Sequence, residues 1–301
     1  MLFQPNISVI IPLYNHERYI DATLDSVLAQ TVLPKEIIVI DDGSQDGSLE
    51  RLRLRAAQEP RIIYWSHPNQ GAHNTINAGL RRATGDYVAI LNSDDCFHPR
   101  RLEMCLNALE HDTKADVVCS ELSFLDGEGN IYHNKWYVEA LAFYRKVGDI
   151  SLALINGNFL MTTSNLFVRR TIFEELGYFS NLRYAHDLDF FLRLILKHKP
   201  IVFLEAPLLQ YRIHASNTIS EGVLKVKIEW AAVVAWFAWQ IEENWGSDYV
   251  CRLMYITDRH NLTRLIFYFF KQFQRTSPQS LMAEIWLEDA GFREFITKAV
   301  R

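Results

Sequence analysis

The sequence predicts an α/β protein built on a Rossmann-like, mostly parallel sheet flanked by helices, and three observations carry that expectation. Short β-branched runs, Ile7 to Ile11, Ile37 to Ile40 and Tyr87 to Leu91, show little alternation between apolar and polar residues, as strands covered on both faces do. Helical patterns separate them, giving the order β-α-β-α-β of a doubly wound sheet. Each run passes straight into a polar cluster: Pro12-Leu13-Tyr14-Asn15, Asp41-Asp42-Gly43-Ser44 and Asn92-Ser93-Asp94-Asp95. Ligands of such sheets bind at the carboxyl ends of the strands. An aromatic ring, an amide and four carboxylates therefore gather where a ligand is expected, a set suited to a sugar nucleotide held through a divalent metal.

Asn15 reads as the N-cap of a first helix, whose Tyr19, Ile20, Leu24, Val27 and Leu28 share one face. The second strand is Glu36 to Ile40, Ser44 reads as the cap of a helix carrying Leu49, Leu52 and Leu54, and Arg61 to Trp65 is a third strand. The loop His67 to Gly71, a helix Ala72 to Arg82 and the strand Tyr87 to Leu91 follow. Pro99 suits the first position of a helix carrying Leu102, Cys105, Leu106 and Leu109. Beyond residue 115 the pattern turns to a mixed or antiparallel sheet, with strands 117–119 and 121–125, the turn Asp126 to Asn130 and a return strand Ile131-Tyr132. Strand Thr162 to Val168, helices Thr171 to Leu176 and Asp187 to Lys197, and strands 201–204 and 208–213 complete this half. Residues 222–301 read as a helical appendage holding five of the seven tryptophans.

Composition narrows the function. At 301 residues the chain can bury a substantial core, and with 22% charged and 49% hydrophobic residues it has no disordered or low-complexity segment. A net charge of −5 excludes nucleic acid as the main partner, which demands clustered positive charge. Residues 1–6 lack the basic start and small-residue cleavage site of a signal peptide, so a cytoplasmic protein is expected. The four cysteines show no Cys-x-x-Cys spacing and read as reduced and structural, Cys96 beside Asp95 being the one near the proposed site. No Gly-x-Gly-x-x-Gly follows a strand and no Gly-x-x-x-x-Gly-Lys occurs, which removes dehydrogenase and P-loop readings.

The carboxylates of Asp41-Asp42-Gly43-Ser44 would repel a phosphate but can accept hydrogen bonds from a base or a ribose; the alternative is that Asp42 and Ser44 merely build a turn and cap a helix. Asp94 and Asp95 are adjacent like charges, a conflict that a divalent cation with hard oxygen ligands, magnesium or manganese, resolves. Asn74, at the head of a helix after Gly71, is a further candidate. Asp187 stands at a predicted helix N-terminus, where the dipole favours its ionised form; a capping role is the alternative.

Five ordered motifs carry a resemblance: Val9 to Asn15, Ser26 to Thr31, Ile38 to Ser48, Asn69-Gln70-Gly71 with Asn74, Asn77 and Gly79, and Leu91 to Asp95. The second half adds Thr163 to Phe167, Glu175 to Phe179, Ala185 to Phe190 and Tyr211-Arg212-Ile213-His214. Over residues 7 to about 218 the chain resembles glycosyltransferase family 2, with the GT-A fold. The resemblance implies a catalytic domain, 1–221, divided into a nucleotide-sugar-binding half, 1–115, and an acceptor half, 116–221, followed by the appendage. It implies that Pro12, Tyr14 and Asp42 meet the base and ribose, with Asn15 and Asn74 counted among the donor-binding residues. Asp94 and Asp95 would form the family's Asp-x-Asp-type element, Asp94 facing the ribose or sugar, Asp95 holding Mn2+ or Mg2+, and His214 lying near the metal or diphosphate. Asp187 would be the general base that deprotonates an acceptor hydroxyl in an inverting displacement. Many relatives carry an acidic residue before that aspartate; here it is His186, which could tune Asp187, contact a substrate or pack.

The expected reaction moves a sugar from a nucleoside diphosphate donor, a UDP-sugar first, to a hydroxyl of a glycan, lipid-linked or small acceptor, in the setting of cell-surface polysaccharide synthesis. A sugar nucleotidyltransferase would need a glycine-rich basic loop after the first strand, and Leu13-Tyr14-Asn15-His16 is not one. A catalytically silent carbohydrate-binding scaffold with this fold is the other rival, opposed by the joint presence of Asp42, Asp94, Asp95 and Asp187. In the appendage the ten-residue apolar run Trp230 to Trp239 and the six-residue run Leu265 to Phe270 are too short to span a bilayer, which takes about 20 residues. Arg252, Arg259, Arg264, Lys271 and Arg275 surround the second run, so the segment is read as covering the catalytic domain, forming a homodimer interface, or lying on an anionic membrane face.

Overall fold

All the strands join one eight-stranded sheet in the computed structural model, which describes residues 6–245 and 247–272. β1 (Ile7–Leu13), β2 (Glu36–Asp41), β3 (Ile62–Ser66) and β4 (Tyr87–Ile90) are parallel. β5 (Cys96–Phe97), β6 (Val117–Leu125), β7 (Phe167–Arg169) and β8 (Ile201–Arg212) complete the order β3-β2-β1-β4-β7-β6-β8-β5. β7 runs antiparallel to β4 and β6, β8 parallel to β6, and β5 antiparallel to β8. The parallel first half and mixed second half are those expected from the sequence. The helices are α1 (Ile20–Leu28), α2 (Ser48–Gln58), α3 (Ala72–Leu80), α4 (Arg101–His111), α5 (Lys135–Val147), α6 (Ile150–Asn156), α7 (Ile172–Leu176), α8 (His186–Leu196), α9 (Val223–Trp245), α10 (Ser247–Asp258) and α11 (Thr263–Gln272).

The described residues fall into two compact units. One comprises the chain up to 133 with 160–179 and 199–215; the other comprises 134–159, 180–198 and the residues from 216 onward. The first unit holds the whole sheet with α1 to α4 and α7. Every residue of β1 and β2 is buried, which is why these strands read as unbroken apolar runs. Their register sets Leu13 beside Asp41 and Ile10 beside Ile90, so the polar segments after β1, β2 and β4 emerge together. Gly79 lets α3 press close to the sheet, since a Cβ there would lie 2.6 Å from Ile10 Cγ2 and 2.9 Å from Ile40 Cδ1. That approach brings the loop at the head of α3 over the end of β2.

The second unit is helical. Ala231 to Ala235, Phe237 and Ala238 of α9 are fully buried, so the ten-residue apolar run is the core of this unit. Leu265, Ile266 and Phe269 of α11 are buried while Phe267 is half exposed. Among the described residues no helix is long and apolar enough to cross a membrane. Trp286 and Arg275 lie outside the described residues, as does the end of the appendage.

Several boundaries differ from the sequence expectation. α1 begins at Ile20, and Asn15 instead takes a left-handed φ of +53° and ties two turns together, its N–H donating to Ser44 Oγ at 3.0 Å and its Oδ1 accepting from Gln45 N at 2.7 Å. Ser44 is thereby engaged, and α2 starts later, at Ser48, whose N–H donates to Asp46 Oδ1. The segments 201–204 and 208–213 are one strand, β8, because pairing with β6 continues through a register shift at Ser120 to Leu122. Thr163–Asn165 is a 3-10 turn before the short β7, and Ile131 makes only an isolated bridge to Leu125. Two helices, α5 and α6, occupy a stretch to which the apolar pattern assigns no element. They are started by Asn134, which accepts from Tyr137 N, and Asp149, which accepts from Ser151 and Leu152 N, with Gly148 at φ +65° between them.

Candidate active site

Three strand ends in the sheet unit build a cluster of two imidazoles and a carboxylate. The turn after β1 supplies His16, the turn after β4 supplies Asp94, and the residues after β8 supply His214. His214 Nε2 lies 3.0 Å and His16 Nε2 3.9 Å from Asp94 Oδ2. One ligand atom from each lies within 4.8 Å of the others. The rings are fixed from behind: Ser93 Oγ is 2.8 Å from His16 Nδ1, the Tyr19 ring lies against His214 with centroids 4.9 Å apart and a 30° tilt, and the Arg212 guanidinium lies 4.9 Å over the same Tyr19 ring. Thr23 of α1 holds the acidic turn, its hydroxyl donating to the carbonyls of Ser93 and Asp95.

Asp94 and Asp95 are adjacent but face different surroundings. Burial works to raise the Asp94 carboxyl, yet His16 and His214 outweigh it and hold Asp94 below the usual carboxylate range. Asp95 is fully buried, and both its oxygens are spent on the frame: Oδ2 accepts from Ser164 Oγ at 2.7 Å and Oδ1 from Arg212 N at 2.9 Å. Burial, then the charge of Asp94, pushes Asp95 well up. The sequence expectation pairs Asp95 with His214 at a metal; the geometry brings His214 to Asp94. Asp95→Ala would strand two buried donors, each costing about 1–3 kcal/mol. Urea unfolding is therefore expected to show a loss of about 2 kcal/mol or more, and an unchanged midpoint would mean that Asp95 is not the strut described.

The donor candidates spread around this cluster. Pro12 is buried within β1, while Tyr14 and Asn15 are exposed beyond it. Asp42 is 3% exposed, and its carboxylate accepts from Gln70 N at 2.7 Å and Gly71 N at 3.0 Å, pinning the loop that opens α3. Gly71 needs its glycine there, at φ +85°. Asn74 Nδ2 donates to Gln70 O at 3.0 Å, so it braces the same loop.

Asp187 belongs to the helical unit, as the second residue of α8. It is 7% exposed. Its Oδ1 accepts the N–H of Leu188 at 2.7 Å and its Oδ2 accepts from Asn158 Nδ2 at 2.9 Å. The helix dipole was expected to keep this carboxyl ionised; burial is the stronger effect and pushes it up to about 7, with the nearby Glu229 charge adding to the rise. A carboxyl that titrates near neutrality is suited to accept a proton. His186 is half-buried at the start of the same helix. Asp189 is committed elsewhere, its Oδ2 accepting from Ser180 Oγ at 2.7 Å and Arg193 Nε at 2.9 Å.

Sequence reasoning missed His16, Ser164, Asn158 and Glu229 as contributors. His16 follows Asn15 directly, and its position just past a buried strand was the available signal. Nothing local in the sequence ties it to His214, since only the sheet order brings the ends of β1, β4 and β8 together.

The chain belongs to glycosyl transferase family 2, whose model matches residues 8–177. The chain is a glycosyltransferase of GT-A fold. It is 32% identical over 229 residues to an uncharacterized glycosyltransferase of Rickettsia prowazekii, covering 74% of this chain and 68% of that protein. It is 31% identical over 192 residues to a chondroitin synthase of Escherichia coli, covering 63% of this chain but 26% of that protein. Crystal structures of Staphylococcus aureus TarS share the fold: the form with UDP-GlcNAc has a TM-score of 0.63 at 18% identity, covering 98% of this chain and 82% of that one, and the form with UDP a TM-score of 0.61 at 20% identity, covering 96% and 77%.

Proposed function

We propose that this glycosyltransferase transfers a sugar from a UDP-sugar to an acceptor hydroxyl with inversion, holding a divalent metal at Asp94, His16 and His214 and using Asp187 as the base. The observation that carries the reading is the convergence of His16, Asp94 and His214 at three strand ends of a sheet whose family consumes nucleotide sugars. The donor set fits a divalent ion. One carboxylate below its usual pKa and two imidazoles, one with its Nδ1 engaged by Ser93 and its Nε2 turned inward, match manganese better than the all-oxygen shell that magnesium prefers. When bound, such an ion neutralises charge developing on the leaving diphosphate.

The chain's own residues do the rest. Tyr14 offers an exposed ring for the base, and Asp42, whose oxygens keep lone pairs beyond those used by Gln70 and Gly71, can accept from ribose or uracil. Asp187 takes the acceptor hydroxyl proton as the acceptor oxygen bonds to the anomeric carbon and the bond from that carbon to the diphosphate oxygen breaks, its electron pair leaving with UDP. Asp95 is the strut beneath Asp94, not a ligand. Relatives named chondroitin synthase and hyaluronan synthase support polysaccharide assembly as the setting, and the TarS complexes with UDP and UDP-GlcNAc support a UDP-sugar donor.

Calorimetric titration with UDP, GDP and CDP, each with and without manganese, tests the reading. UDP is expected to bind in preference to the others and to need manganese. Preference for GDP or CDP would overturn the donor, and metal-independent binding would overturn the role given to the cluster.

A further inference from the structure

We propose that Glu229 of α9 is a positioning residue for the base: its carboxylate gathers the backbone N–H groups of the turn that leads into α8 and so sets where Asp187 stands. The inference rests on the reading of Asp187 as the base. Glu229 is 9% exposed. Its Oε1 accepts from Arg183 N at 3.0 Å, and its Oε2 accepts from Tyr184 N at 2.6 Å and Ala185 N at 3.0 Å. Three consecutive amides therefore converge on one carboxylate, immediately before His186 and Asp187.

The clamp grips the turn that ends at the N-cap of α8, while within the helix the Leu188 N–H is taken by Asp187 Oδ1. A helix begins with N–H groups that have no partner inside it, and a side-chain acceptor at the N-cap commonly meets one of them. Here the N-cap is Ala185, which has no such acceptor. Glu229, from another helix of the same unit, supplies a carboxylate to the turn that leads in. A charged acceptor bound by three N–H donors is a strong, directional tether. Fixing 183–185 fixes the first turn of α8, and Asn158 completes the placement by donating to Asp187 Oδ2.

Glu229 acts on Asp187 in a second way. Asp187 is faced by Asn158 from the loop after α6 and by the charge of Glu229 from α9, and Glu229 in turn is faced by the charge of Arg183. A negative charge nearby disfavours ionisation of a carboxyl, adding to the effect of burial. One side chain of α9 thus positions the base and adds to a proton affinity that burial mainly sets, which gives α9 a part in the chemistry and not only in packing.

Two substitutions separate these roles. Glu229→Gln removes the charge and leaves one oxygen for three amides; Glu229→Asp keeps the charge but withdraws it by one methylene. The first readout needs no substrate: the Asp187 carboxyl carbon followed by 13C NMR across pH 5 to 9, identified by its loss in Asp187→Asn, with hydrogen exchange of the amides of 183–185. In Glu229→Gln the Asp187 midpoint is expected to move to lower pH and the three amides to exchange faster. In Glu229→Asp the amides are expected to loosen while the midpoint moves less. The second readout is UDP release from UDP-N-acetylglucosamine, where both variants are expected to lose about 10- to 100-fold in kcat with donor KM nearly unchanged. A packing role alone would lower Tm without moving the Asp187 midpoint. An unmoved midpoint in Glu229→Gln together with unchanged amide exchange in either variant overturns the proposal, and Glu229→Asp decides it should the glutamine variant not fold. Should Asp187→Asn itself retain turnover, the base reading fails instead, a result the Glu229 variants do not mimic.

Discussion

Asp187→Asn is expected to abolish transfer while making the protein more stable than wild type at alkaline pH. The amide keeps the shape and still accepts the Leu188 N–H, but it cannot take a proton, so turnover falls by about 10²–10⁴-fold with donor binding retained. The stability change follows from burial. Asp187 titrates at about 7 in the folded chain against 3.8 for the ordinary group, so between these values the folded protein holds a proton that the unfolded chain has released. Stability contributed by this group is fully present below pH 3.8, falls as pH rises through that window, and levels off above 7. Three pH units correspond to about 4 kcal/mol. Asparagine removes the loss, so the variant's gain over wild type is larger at pH 8 than at pH 5 by two pH units' worth, about 3 kcal/mol, as unfolding at the two values would show. Activity of the wild type has the opposite slope, because the base works only when ionised: turnover should fall below about pH 7 and plateau above it. Undiminished turnover in Asp187→Asn, or a stability difference that does not grow with pH, would sink the assignment.

Asp94→Ala should remove manganese-dependent UDP binding and cost less stability than Asp95→Ala, since it strands the one imidazole at 3.0 Å where Asp95 strands two donors. Asp94 carries the charge at the centre of the His16 and His214 pair, and taking away a ligand costs at least what losing an outer-shell partner does, about 10–100-fold in metal affinity. Calorimetry of the variant with UDP and manganese would show the loss, and thermal unfolding would show a smaller drop in Tm than in Asp95→Ala. The contrast with Asp95→Ala is the discriminating result, since Asp95 holds Ser164 and Arg212 and no imidazole. Full manganese-dependent binding in Asp94→Ala would place the ion elsewhere.

Much of this arrangement was legible in the sequence, for reasons that are local. Strands buried on both faces must be apolar along their whole length, and Ile7 to Ile11 and Ile37 to Ile40 announce β1 and β2 for that reason. Asp187 was visible because helix α8 begins where its apolar periodicity starts. Helix starts were less legible: Asn15 and Ser44 have the chemistry of caps, yet they bond to each other's turns across the ends of β1 and β2. The helices α5 and α6 were missed because Trp136 and Tyr137 after the cap Asn134, and the isoleucines of the short α6 after the cap Asp149, suit strands equally well.

The order of strands and helices through β4, the cluster of carboxylates at the strand ends, the lack of phosphate-loop glycines and membership of a sugar-transferring family were determined by the sequence alone, because each depends on residues near one another along the chain. The tertiary structure decided which of two adjacent aspartates faces the imidazoles, how far burial raises Asp187, and which glutamate holds its turn. Those outcomes depend on charge, desolvation and hydrogen bonds between residues that only folding makes neighbours: Asp94 with His16 and His214, Asp95 with Ser164 and Arg212, and the 183–185 turn with Glu229.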